Sequence, residues 1–253
     1  MKLNIKAIFF DIGNTLRVLT KEPKFQEQAE NQLTELIGVT EEKEVFFEKL
    51  NKRWDLYREQ SKKTLVEASE MELWTRWMLP EYPAESIAAV SGKLTRLWRD
   101  RDGRRNPRPD VKDTIVELVK RGFNLGIIAN TITETEIPDW IIDDGLVSCF
   151  YPVILSSKVR IRKPDPSIYL LAARILGVEP SECAYIGDNP VRDVEGARKS
   201  EFGSVILINE PNTVANETEH IVYEPDYTID KISDLLNIFP RAHGCLRAEK
   251  TTP

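Results

Sequence analysis

The chain has 253 residues, 41% of them hydrophobic and 30% charged, enough for one sizeable core or a core carrying an insertion. A net charge of −6 gives no global basic field and argues against a nucleic-acid scaffold, and no apolar run approaches the ~20 residues of a membrane span. Cys149, Cys183 and Cys245 have no CxxC spacing and His220 and His243 are the only histidines, which sets aside disulfide frameworks, zinc centres and Ser/His/Asp triads. A reduced, cytoplasmic protein without a signal peptide is expected.

The first element is the apolar run at 5–10. It closes on Asp11, and Gly13 and Asn14 then favour a turn. Further short runs rich in Ile, Val and Phe fall at 125–129, 152–155, 184–187 and 204–208. Helical patterns lie between several of them. Val111, Ile115, Leu118 and Val119 follow a 3.6-residue period behind Pro109 and Asp110, with Gly122 as the stop. Ile168, Leu171, Ala172, Ile175 and Leu176 repeat the pattern, with Gly177 as the stop. Strands alternating with helices predict an α/β fold, a doubly wound, Rossmann-like parallel sheet.

Residues 17–106 break the rhythm. They hold no convincing strand but several amphipathic helices: Phe46, Leu50, Trp54 and Tyr57 share one face, and Ile87, Val90, Leu94, Leu97 and Trp98 another. The expected division is a core of 1–16 and 107–240, an all-helical cap of 17–106 inserted after the first strand, and a disordered tail at 241–253. The aromatic residues of the cap, including Trp54, Trp74, Trp77 and Trp98, are expected to form a small bundle core. The arginines 96, 99, 101, 104, 105 and 108 allow two readings, a solvated helix end and linker or a rim that steers anions.

In a parallel sheet, DIGNT at 11–15, ANT at 129–131, RKPDP at 162–166 and GDNPVRD at 187–193 converge on the edge where open α/β sheets place ligands. No GxGxxG follows the first strand and no GxxxxGK[ST] is present, so dinucleotide and P-loop readings fail. FFDIGNTL, then RKPDPSIY, then YIGDNPVRDVEGA resembles the haloacid dehalogenase-like hydrolases, mostly phosphatases, in the branch whose helical cap follows the first motif. The resemblance implies that Asp11 attacks phosphorus and forms an aspartyl-phosphate. Mg2+ would be held by Asp11, the main-chain carbonyl of Gly13 and Asp188, since magnesium takes oxygen ligands and keeps several waters. Lys163 would supply fixed positive charge to the nucleophile and the transferring phosphoryl group. Asp193 would stand behind the metal or hold Lys163. Residues 129 and 130 would meet the phosphate beside Lys163. The implied partner is a small phosphorylated substrate.

Two positions depart from that pattern. Phosphatases of the family usually carry a second aspartate at position 13, which protonates the leaving alcohol and later activates water. Gly13 can do neither, although its carbonyl keeps the metal contact. The family also normally has Ser or Thr where Ala129 stands. Asn130 remains, and Thr131 is one position late. Asn14 could orient a water, with turn formation the simpler role. Three functions therefore stay open: an attenuated Mg2+-dependent phosphatase, a non-catalytic relative that binds a phosphorylated ligand or a protein, and a non-phosphatase activity. Within the last, dehalogenases of the family need no metal whereas GDNPVRD resembles a retained metal motif, and phosphonate cleavers need a cap lysine, which nothing picks out among Lys49, Lys52, Lys62 and Lys63.

Overall fold

The computed structural model describes residues 4–214 and 222–240. The expected tail, with His243 and Cys245, lies outside them, as does His220. Among the described residues eight strands run in chain order: β1 (Ala7–Phe10), β2 (Arg17–Thr20), β3 (Arg104–Pro107), β4 (Asn124–Ala129), β5 (Phe150–Leu155), β6 (Cys183–Gly187), β7 (Ser204–Ile208) and β8 (Tyr227–Ile229). Six of them make one parallel sheet in the order β5-β4-β1-β6-β7-β8. The chain builds outward from β1 in both directions, so the ends of β1, β4 and β6 meet at the topological switch point.

All four residues of β1 are buried, as a central strand covered on both faces requires. Alternation divides them between two cores. Ala7 and Phe9 pack with Ile168, Tyr169 and Tyr185 on one face, while Ile8 and Phe10 pack with Ile115, Leu118 and Ile186 on the other. The helices expected from periodicity form at Val111–Lys120 and Pro166–Leu176. In the second, Pro166 occupies the first turn, Asp165 accepts the Ser167 N–H at 2.8 Å, and Gly177 closes the end at φ 64°.

Between β2 and β3 the chain is helical: Pro23–Ile37, Lys43–Thr64, a short piece at 70–78 and Ala84–Asp100. These helices enclose a third core in which Phe46, Leu50, Tyr57, Trp74, Leu94 and Trp98 are buried. The buried indole of Trp74 donates to Thr95 Oγ1 at 2.8 Å, which satisfies the one polar atom that side chain brings inside.

The expectation of no strand within 17–106 is overturned. Arg17–Thr20 and Arg104–Pro107 pair antiparallel, with Arg17 opposite Pro107 and Thr20 opposite Arg104. Arg104–Pro107 has no β-branched residue, and those of Arg17–Thr20, Val18 and Thr20, lie in a run of only four residues. The two segments pair because the chain leaves and re-enters the sheet domain side by side at this point. The Arg17 guanidinium ties the ribbon to the core, donating to the Arg105 carbonyl at 2.8 Å and to Asp144 at 2.5 Å.

Candidate active site

Asp11 follows β1 directly, and its N–H continues the ladder to the Ile186 carbonyl at 2.9 Å. The chain then hooks sharply. Asn14 adopts a left-handed φ of 60°, a conformation asparagine tolerates better than most residues, and its side chain donates to Thr213 at 2.9 Å. Asn14 thus serves the turn. Arg108 staples the hook from outside, donating to the carbonyls of Thr15 at 3.0 Å and Asn14 at 2.6 Å while pairing with Glu210.

After β6, Asp188 and Asp193 are brought to one side by a wide turn over Pro190–Val194, in which the Val194 N–H reaches back five residues to Asn189. The Asn189 side chain caps this turn by accepting the Arg192 N–H at 2.6 Å. Gly187 is obligatory here, because a Cβ at that position would lie 2.5 Å from the Asp193 side chain. Asp11, Asp188 and Asp193 are all buried and each presents an oxygen within 4.8 Å of the others.

Lys163 is the fixed counter-charge. Its ammonium donates to Asp11 at 2.8 Å, Asp193 at 2.7 Å and the Tyr185 hydroxyl at 2.7 Å. All three donors of the group are thereby used. The Lys163 main chain is clamped as well: Asn130 accepts its N–H at 2.8 Å and donates to its carbonyl at 3.0 Å. The Asn130 amide is therefore engaged with the lysine. Thr131 is also turned inward, its hydroxyl accepting the Thr133 N–H at 3.1 Å.

The electrostatics follow from this packing. Burial pushes the Asp11 carboxyl up, with Lys163 opposing it. Burial acts the same way on Asp193, but Lys163 and Arg192 outweigh it and hold that group low. Asp188 has no lysine. Burial and the carboxylates of Asp193 and Asp11 push it up to about 7. Three carboxylates set against Lys163 and Arg192 form a donor set of hard oxygens with a net negative charge, which fits a small divalent cation.

Above these residues opens a cleft of about 400 Å3, bounded below by Asp11, Gly13, Ala129 and Asn130 and above by the helical segment and the ribbon. A Cβ at Gly13 would meet nothing within 4 Å. Trp54 packs against the helical core yet also reaches the cleft, as does Trp140, so the expected bundle role of Trp54 is only half its position.

Residues 5–200 match the haloacid dehalogenase-like hydrolases, more than half of the chain. The chain belongs to this family. Among its relatives, the glyceraldehyde 3-phosphate phosphatase of Methanopyrus kandleri is 27% identical over 92% of this chain and 97% of its own length. The phosphoserine phosphatase of Thermus thermophilus is 31% identical over 50% of this chain and 58% of its own. A crystal structure of 2-haloacid dehalogenase from Pseudomonas syringae pv. Tomato shares the fold, with a TM-score of 0.67 and 22% identity over 92% of this chain and 97% of that one.

Both readings of the arginine-rich segment need amendment in this member of the family. Each of the six is ion-paired: Arg96 to Asp139, Arg99 to Glu136, Arg101 to Glu30, Arg104 to Glu22, Arg105 to Asp102 and Arg108 to Glu210. Only Arg99 and Arg105 border the cleft. Nothing in the local pattern marks Tyr185 as a lysine partner. Sequence reasoning also missed Glu67, a wholly buried carboxylate that accepts from Tyr57, Ser156 and Arg162 and joins the helical segment to the core. A charged residue in an otherwise apolar neighbourhood was the available signal for Glu67, but its partners are distant in sequence.

Proposed function

We propose that the protein is a magnesium-dependent phosphohydrolase acting on a small phosphorylated molecule, with Asp11 as nucleophile. The observation that supports it most is the buried trio of Asp11, Asp188 and Asp193 against a single, fully engaged Lys163 at the switch point of the sheet. In this reading Asp11, Asp188 and the Gly13 carbonyl would hold Mg2+, which would neutralise charge between carboxylate and phosphate. Asp193 positions Lys163. Asp11 Oδ forms a bond to phosphorus as the bond to the leaving oxygen breaks, and that oxygen takes the electron pair. The Lys163 ammonium offsets charge on Asp11 and the phosphoryl oxygens. Main-chain N–H groups around Ala129 and Asn130 receive the phosphoryl group. Water then forms a bond to phosphorus as the bond to Asp11 Oδ breaks, the electron pair returns to the carboxylate, and the water's protons leave with the inorganic phosphate.

Gly13 brings no proton to the leaving oxygen, so phosphates whose leaving groups depart readily as anions are the favoured substrates. The loss of a general acid costs roughly 10² to 10⁴ in rate, small against the ~10²¹ that catalysis of phosphate monoester hydrolysis can reach. The changes at Gly13 and Ala129 also support a second reading, a relative that binds a phosphorylated ligand without turnover. Phosphate release from acyl, aryl and sugar phosphates with Mg2+, measured for the protein and for Asp11→Asn, separates the two. Activity lost in the variant supports the phosphatase; equal background in both refutes it.

A further inference from the structure

The cleft carries far more positive charge than one phosphate needs. Arg58, Arg99, Arg105, Arg162 and Arg192 border it, against the single carboxylate of Asp11. Four of these arginines have acidic partners: Arg99 with Glu136, Arg105 with Asp102, Arg162 with Glu67 and Arg192 with Asp188. Arg58 differs. Among the described residues its guanidinium makes no hydrogen bond and no ion pair, and it lies 5.6 Å from the centroid of the Trp54 ring.

Arg58 is half-buried on the Lys43–Thr64 helix. Burial, together with the neighbouring cations Arg162 and Arg192, lowers it to about 10, with Glu67 opposing. Arg162 and Arg192 are balanced by their carboxylates, whereas the Arg58 guanidinium has lost water to burial without gaining a hydrogen-bond partner, a deficit that an entering anion would make good. Asp11, Arg58 and Arg192 border the same cleft, and Arg192 acts electrostatically on the other two.

Resting on the phosphohydrolase reading, we propose that Arg58 anchors a second oxyanion of the substrate, a carboxylate or another phosphate, while the first phosphate meets Asp11. The planar fork of a guanidinium suits either group through two parallel hydrogen bonds. The substrate class is thereby a phosphorylated molecule with two anionic ends. Its anchor comes from the helical segment and its reacting end from the sheet, so binding draws the two sides of the cleft together.

The test is calorimetric titration of the Mg2+-loaded protein with non-hydrolysable probes: methylphosphonate with one anion; phosphonoacetate and 3-phosphonopropionate with an added carboxylate; methylenediphosphonate with an added phosphonate. At least one two-anion probe is expected to bind roughly ten- to a hundred-fold tighter than methylphosphonate, the range for a charge-assisted hydrogen bond. In Arg58→Gln that advantage is expected to shrink to within about three-fold, with Arg58→Lys between the two. An advantage confined to the carboxylates or to the diphosphonate supports the proposal and identifies the oxyanion. No advantage in the unmodified protein, or one that survives Arg58→Gln, overturns it. Methylphosphonate that fails to bind removes the underlying phosphate-site reading together with this one, whereas methylphosphonate binding without a second-anion gain removes this one alone.

Discussion

Restoring the carboxylate at position 13 is the sharpest perturbation of the proposed chemistry. Gly13 is exposed, its φ lies outside the left-handed range, and a Cβ there meets nothing within 4 Å. Gly13→Asp therefore requires no backbone adjustment and leaves the carbonyl in place. The site below is already crowded with Asp11, Asp188 and Asp193. The three carboxylates raise the proton affinity of a fourth, while Lys163 and the cleft arginines act against them. The gain expected is that of a general acid, about 10² to 10⁴, or roughly 3–5 kcal/mol off the barrier. The assay is kcat/KM with Mg2+ for methyl, phenyl and p-nitrophenyl phosphates in both proteins. Without the acid, rate should fall steeply as the leaving group becomes more basic; with it, the dependence should flatten. Methyl phosphate should gain by the full factor and p-nitrophenyl phosphate by less than about ten-fold. Equal gains across the series would refute the reasoning, since they would place the benefit in binding or aspartyl-phosphate hydrolysis rather than in protonation of the leaving oxygen.

Two further perturbations probe the carboxylate trio. Asp188, pushed up to about 7 in the fold from a usual value of 3.8, keeps a proton that the unfolded chain has already released. The metal-free protein should therefore lose stability as pH rises from about 4 towards about 7, by roughly 1.4 kcal/mol per unit at most. Mg2+ must displace the same proton, so its affinity should fall about ten-fold per unit below that pH. Thermal unfolding and calorimetry check both slopes, and Asp188→Asn should flatten the first and abolish Mg2+ binding; an unchanged slope would mean that the proton sits elsewhere. Gly187→Ala places a Cβ 2.5 Å from the Asp193 side chain and should cost about 1–3 kcal/mol in urea unfolding, as overpacking does. It should weaken Mg2+ binding too, and wild-type values for both would show that Asp193 can move freely.

The sequence by itself determined the parallel sheet, since buried strands read as continuous apolar runs and their helices keep a 3.6-residue period. β1, β4, β6 and β7 lie within a residue or two of the runs that announced them, and Gly177 stops its helix as expected. It also determined which acids could meet, because residues that end parallel strands share one edge. Asp11 and Asp188 needed only that rule. Tertiary structure alone decided what those residues touch. The ribbon of Arg17–Thr20 and Arg104–Pro107 exists because two distant stretches cross together. Asn130 was free to face a ligand until Lys163, 33 residues away, took both ends of its amide. The arginines of 96–108 looked alike as letters, and Arg58 was one charge on a polar helix face. Ion pairing depends on which carboxylate arrives from elsewhere in the chain, and local pattern carries no record of that. Only the packed molecule separates the five arginines around the cleft into four that are paired and one, Arg58, whose guanidinium has no acidic partner among the described residues.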